Sequence, residues 1–213
     1  TGVHATTQIA HFDTLARRPL EAWVRGVNSH LPASVGVLWA VEVDDEFHAR
    51  FSAESRRYRY VLLNRRVRPG LLGGRVGWTH GAVDERAMAE AATCLVGEHD
   101  FTSFRAAECQ ARSPVRLMHS VAVSRQGDFL LFDFHANAFL HHMIRNLVGS
   151  LVFVGKGRRP VGWMRELLAA RNRTLAAPTF APDGLYLCGV EYPERWPLPG
   201  GGRIIAAPQL LLP

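Results

Sequence analysis

The sequence predicts an α+β fold, with strands paired largely as hairpins and helices packed among them. Three observations lead there. MHSVAVSRQGDFLLFDFHANA (118–138) holds two alternating apolar runs around Gln126-Gly127-Asp128, the pattern of a hairpin. ERAMAEAATCLVG (85–97) and VGWMRELLAA (161–170) read as helices. RRYRYVLLN (56–64) and GLYLCGVEY (184–192) read as strands.

Taken in order, the chain opens on a Thr-Gly turn and His4, and TTQIAHFD (6–13) alternates like a half-buried strand. PLEAWVRGVN (19–28) is a helix that NSHLPAS breaks, and VGVLWAVEV (35–43) follows as a buried strand. DDEFHARFSAES (44–55) is a polar connector between two lobes. The strand over 56–64 runs into the basic turn RRVRPG. Asp84 is a good N-cap for the next helix, which ends at Gly97. EHDFTSFRAAECQARSPVR (98–116) is a long irregular segment of the kind that carries function. After the hairpin come an apolar helix, FLHHMIRNLVGSLVFVG (139–155), the shorter helix and the last strand. The tail from Pro193 is rich in Pro and Gly and wraps or frays.

A chain of 213 residues can bury a sizeable core, and 47% hydrophobic with 21% charged residues excludes wholesale disorder. No apolar run approaches the roughly 18–20 residues needed to cross a bilayer, and no secretory leader is visible. Cys94, Cys109 and Cys188 are odd in number, widely spaced and free of any CxxC pair, which favours reduced cytosolic thiols over disulfides or zinc. The net charge is +6, and Lys156 is the only lysine. Arginine forks suit phosphates and stack on bases, so the balance favours a nucleic-acid partner. The competing explanation is a genome-wide preference for Arg codons.

On the strand over 56–64, Tyr58, Tyr60 and Leu62 share one face, and Arg57 and Arg59 the other. Aromatics beside arginines suit a flipped base and its phosphates. The simpler alternative is a core face and a solvated face. In the apolar helix, Arg145 lies among Phe139, Leu140, Met143, Ile144, Leu147, Val148, Leu151 and Val152, so its charge needs a carboxylate from elsewhere in the fold. Such a pair keeps the acid ionised, ready as a nucleophile; a purely structural ion pair is the alternative. Adjacent His141 and His142 point about 100° apart on a helix and do not chelate one ion. Arg18, Arg50, Arg65, Arg66, Arg68 and Arg112 fall in polar loops and are candidates for a phosphate track.

GVHATTQIAHF, FHARFSAESRRYRY, HDFTSF, NAFLHHMIRNLVGSL and GLYL occur in this order and at these separations, and together the chain up to about Tyr192 resembles the TruA family of tRNA pseudouridine synthases. The resemblance implies a two-lobed α+β body of two ferredoxin-like units with the site in the cleft between them. The first lobe is incomplete here: 1–46 is its remainder, 47–192 the catalytic and RNA-binding lobe, and 193–213 a Pro/Gly-rich tail. In the family a catalytic Asp precedes a small residue and Gly-Val-His. Gly2-Val3-His4 matches, and Thr1 stands for the small residue, so the nucleophilic Asp is expected immediately before Thr1 and is absent from this sequence. Tyr58 matches the tyrosine that stacks on the target uracil and is implicated in proton removal. Arg145 matches the arginine that pairs with the catalytic Asp, and Leu185 an apolar residue lining the pocket. Arg18, the residues Phe47, His48, Ala49, Arg50 and Phe51, then Arg66, and the segment Glu108, Cys109, Gln110, Ala111 and Arg112 fall in stretches that contact tRNA.

The implied activity is isomerisation of uridine to pseudouridine at positions 38–40 of the tRNA anticodon stem-loop, by a cytoplasmic homodimer without cofactor or metal. This chain alone, lacking the Asp, is expected to be inactive. Two other readings stand beside it: a catalytically inactive tRNA-binding protein, and a small-molecule hydrolase using His4, His141 and His142 with a bound metal.

Overall fold

The computed structural model describes residues 2–205. Along them the elements are β1 (His4–Ala5), α1 (Leu20–Asn28), β2 (Ser55–Asn64), β3 (Gly77–Thr79), α2 (Glu85–Ala92), β4 (Gly97–Asp100), β5 (Val115–Gln126), β6 (Phe129–Ala136), α3 (Met143–Gly155), α4 (Trp163–Ala170), β7 (Leu185–Glu191) and β8 (Arg203–Ile205). One sheet runs in the order β1-β7-β2-β6-β5-β4, with β3 added to β2 and β8 to β7. The fold is α+β, as the hairpin-rich sequence predicts.

The sheet is organised around β2, which is antiparallel to β6 on one side and to β7 on the other. A central strand covered on both faces reads as an unbroken apolar run. Accordingly Tyr60, Val61, Leu62 and Leu63 are 0, 1, 0 and 1% exposed. Tyr60 and Leu62 face the large core, where α2, α3 and α4 contribute Met88, Ile144, Leu147, Leu151 and Met164. Val61 and Leu63 face the opposite way, against Val76, Leu131, Tyr186 and Cys188. A third cluster joins Phe47 to Leu187, Tyr192, Trp196 and Leu198.

Several elements stand as the sequence predicts. The Asp84 side chain accepts from the Ala87 amide at 3.0 Å and starts α2. The hairpin turns at Gly127, whose φ of 56° suits glycine. Helix α1 covers Leu20–Asn28.

Others differ, each for a tertiary reason. The strand expected over 6–13 is confined to His4–Ala5, parallel to Tyr186–Leu187. Thr6 N still donates to Leu187 O at 2.9 Å, but from Gly189 to Glu191 the same edge of β7 is taken by β8. The residues 203–205 of the tail thus wrap, and Thr1 and residues 206–213 lie outside the described residues. The segment 35–43 keeps its alternation, with Trp39, Val41 and Val43 packed on the third cluster, but has no ladder partner among the described residues. The segment after Gly97 is not wholly irregular: Gly97–Asp100 pairs with Val115–Met118 as β4. Finally, α3 starts at Met143 rather than Phe139. The His141 carbonyl accepts from the Ala106 amide at 3.0 Å, the His141 amide donates to Cys109 Sγ at 3.4 Å, and His142 takes a left-handed φ of 58°. The 105–111 loop thereby uses the backbone that would have formed the first helical turn.

Candidate active site

The wall that brings the matched residues together is made from three pieces. β2 and β7 lie side by side, with Tyr58 opposite Leu187 and Tyr60 opposite Leu185. The pairing slips by one residue between Arg57 and Tyr58, a bulge of the kind that re-aims a side chain. Tyr58 is half-buried, and its ring meets Phe139 edge-on at 5.1 Å. Burial pushes its phenol above the ordinary value, so the ring carries its proton at neutral pH. Leu185 is 6% exposed and belongs to the main core.

The third piece is the segment 178–184, PTFAPDG, which passes over the start of α3 like a strap. Gly149 makes that passage possible: a Cβ there would lie 2.5 Å from the Pro178 carbonyl oxygen. Arg145 holds the strap at both its ends, Nε donating to Phe180 O at 2.7 Å and its own carbonyl accepting from Phe180 N at 3.2 Å. The strap returns to β7 through Gly184, where a Cβ would lie 2.4 Å from the Val61 carbonyl oxygen.

Arg145 is half-buried, not fully buried as its apolar company suggested. Loss of hydration pulls its pKa down, while the Tyr60 and Asp183 side chains act in the opposite sense. Among the described residues no carboxylate lies within 4.0 Å of it. Of the donors on its guanidinium only Nε has a partner among those residues, so one side is open to an anion. The charge that the sequence argument required to be paired is present, and its Nε is tied to the strap.

Near it lies the start of the chain. Gly2 has a φ of 81°, and a Cβ on it would stand 2.9 Å from Pro182. His4 stacks on Tyr186 at 4.8 Å and its Nε2 lies 2.9 Å from Gly74 O. His4 is in register with Tyr186, two residues after Gly184.

The residues matched to RNA-contacting stretches divide by exposure. Arg18, Arg50, Phe51, Arg66, Glu108, Gln110 and Arg112 face solvent. The Arg50 guanidinium lies 5.5 Å from the Phe51 ring, and that of Arg18 lies 5.7 Å from Trp23. Phe47 and Cys109 point inward: Phe47 packs against Tyr192 and Trp196. His48 Nδ1 accepts from the Arg50 and Phe51 amides at 3.1 and 3.3 Å, and the Ala49 carbonyl accepts from Tyr192 at 2.7 Å. Arg105 donates to the carbonyls of Cys109 at 2.5 Å and Ala111 at 2.8 Å. The inward residues set the shape of the loops whose outer residues are free to touch a polynucleotide. Arg57 and Arg59, on the face away from Tyr58, are held internally by Glu191 at 2.9 Å and Asp133 at 2.7 Å.

HDFTSF is structural: Phe101 and Phe104 are buried, and Asn146 Nδ2 donates to Phe104 O at 2.8 Å. His141 and His142 lie in the turn before α3, their rings 3.9 Å apart. Among the described residues no group of three or more His, Cys, Asp or Glu side chains is placed to hold a metal ion. Sequence reasoning missed the strap, although two prolines and a glycine beside GLYL mark a stiff turn there. It also missed Asp183 and the role of Phe139 against Tyr58.

The family described as tRNA pseudouridine synthase matches residues 91–193. The chain is 66% identical over 209 residues to tRNA pseudouridine synthase A of Aromatoleum aromaticum, covering 98% of this chain and 79% of that protein. It is 62% identical over 199 residues to the protein of the same name from Thiobacillus denitrificans, covering 93% and 76%. The corresponding Shewanella frigidimarina protein is 57% identical over 199 residues, again covering 93% and 76%.

Proposed function

The chain belongs to the tRNA pseudouridine synthase family, and we propose that it isomerises uridine to pseudouridine in the anticodon stem-loop of tRNA, at positions 38–40. The observation that carries this reading at the site is Arg145, half-buried at the start of α3 with no carboxylate within 4.0 Å among the described residues. The parallel register of β1 and β7 supports placing the family's catalytic Asp, one residue before Thr1, at that open guanidinium.

The chemistry follows from these groups. Uridine is turned out of the helix and its ring lies against Tyr58, with Leu185 closing the pocket. The carboxylate, kept ionised by Arg145, attacks the ribose or the uracil ring. The N1–C1′ bond breaks, the detached base turns, and C5 bonds to C1′. The carboxylate is released from its adduct, and the proton on C5 passes to a base, the freed carboxylate or water. Because burial keeps Tyr58 protonated at rest, its part in that last step runs through a hydrogen bond rather than through a standing phenolate.

Residues 1–46 are read as the remainder of the first lobe, 47–192 as the catalytic lobe and 193–213 as the tail, in a cytoplasmic homodimer. No helix among the described residues is long and apolar enough to cross a membrane. The test is pseudouridine formation on an anticodon stem-loop transcript. The full-length protein is expected to form it, whereas residues 1–213 alone are expected to bind tRNA without turnover. Turnover by 1–213 would move the nucleophile to an acid of this segment, with Asp183, whose charge reaches Arg145, the first to replace.

A further inference from the structure

We propose that Tyr60 is a positioning residue of this site: its phenol anchors the 178–184 strap and so fixes the direction of the Arg145 guanidinium. The inference rests on the reading of Arg145 as partner to the catalytic acid.

Tyr60 is fully buried, and a buried residue that only filled space would need no hydroxyl. Inside a core a hydroxyl is costly unless bonded. The Tyr60 hydroxyl is bonded, donating to Ala181 O at 2.8 Å. Ala181 follows Phe180, whose carbonyl takes Arg145 Nε at 2.7 Å. Two consecutive carbonyls of one loop are therefore held by β2 through Tyr60 and by α3 through Arg145. The Tyr60 and Phe180 rings also meet edge-on at 5.8 Å.

The surroundings leave the strap little freedom. Pro178 and Pro182 fix its backbone at two points. Gly77 and Gly184 let backbone close on the Tyr60 ring: a Cβ on either would lie 2.7 Å from Tyr60 Cε1. Burial and the nearby Asp183 carboxylate push the Tyr60 phenol far above its ordinary value, so the proton it donates stays in place at any working pH. A guanidinium bonded to a carbonyl of a free loop would sample many directions. One tied to a carbonyl that is itself tied to the central strand does not.

The experiment is a double-mutant cycle in the full-length protein with Tyr60→Phe and Arg145→Lys, measuring single-turnover rate, tRNA affinity and thermal midpoint. Tyr60→Phe is expected to lower the rate about ten-fold with affinity unchanged. In the Arg145→Lys background it is expected to add no further loss, because its effect passes through Arg145. An equal loss in both backgrounds, or a wild-type rate, overturns the proposal. If Tyr60→Phe does not fold, Pro182→Gly, which loosens the strap from outside the core, decides by the same criteria. A second readout needs no activity: hydrogen exchange of the Arg145 Nε–H, followed by NMR, is expected to accelerate in Tyr60→Phe, and an unchanged rate overturns the proposal. Should the wild-type protein form no pseudouridine, the synthase reading falls and this exchange measurement alone decides the role of Tyr60.

Discussion

At the level of single residues, the site is legible where chemistry is confined to one side chain. Tyr58 and Arg145 stand out because an aromatic in an arginine-rich strand and a cation in an apolar helix both need explaining. Tyr60 does not stand out, since its hydroxyl partner is 121 positions away and no local pattern announces it. Tyr58→Ala in the full-length protein is expected to abolish product while weakening tRNA binding only slightly, because it removes the face on which, in the proposed mechanism, the base rests. Near-normal turnover would return Tyr58 to a packing role against Phe139. Glycine positions were equally silent in the sequence. Gly184→Ala would press a methyl against the Val61 carbonyl and the Gly77 amide, at 2.4 and 2.6 Å. Backbone cannot give way there, so unfolding by urea should show a loss of about 1–3 kcal/mol, or more.

At the level of elements, those specified by their own residues were predictable and those specified by neighbours were not. Helix α2 carries its own cap in Asp84, and the β5–β6 hairpin its own turn in Gly127. The extent of β1 depends on where β8 lies, and the start of α3 on the 105–111 loop, so neither boundary is written locally. The junction of β2, β6 and β7 also gathers titrating groups. Ser55 donates to Glu191 Oε2 at 2.7 Å, Arg57 to Oε1 at 2.9 Å, and His135 Nε2 lies 2.9 Å from Ser55 Oγ. His119 faces His135 with rings 4.6 Å apart, and Arg203 approaches Glu191 at 3.9 Å. Burial and then the Arg57 charge pull His135 below its ordinary 6.5. Burial pushes Glu191 up, but hydrogen bonds from Ser55 and Arg57 and the charges of Arg57 and His135 bring it below 4.5. Both folded-state values are depressed, so both contributions to stability are present at high pH and lost on acidification. The thermal midpoint should fall first as pH drops below 6.5 and again below 4.5. His135→Gln should shrink the upper step, leaving the part that belongs to His142, which burial also pulls down, and should leave the lower step; an upper step of undiminished size would assign it to other groups.

At the level of the molecule, the arginines differ in whether the fold already sets an acid against them. Arg57, Arg59, Arg125, Arg171, Arg195 and Arg203 are set against carboxylates of the same chain. Arg18, Arg50, Arg66 and Arg112 are exposed and have no carboxylate within 4.0 Å among the described residues. Composition cannot make that division, because it depends on which acids the fold brings near. An exposed arginine without a carboxylate partner has charge to offer phosphates, so Arg50→Ala should weaken tRNA binding and lower the slope of log affinity against log salt by about one. An unchanged slope would place Arg50 outside the interface. The pairing of β1 with β7 has a consequence for the making of the protein. Thr6 and Leu187 are 181 positions apart, and the Thr6 amide and hydroxyl both donate to the Leu187 carbonyl. Closing so long a loop is slow compared with forming the β5–β6 hairpin. During synthesis β1 must therefore wait until β7 has left the ribosome, so the edge of the sheet beside the strap closes after the hairpin has already formed.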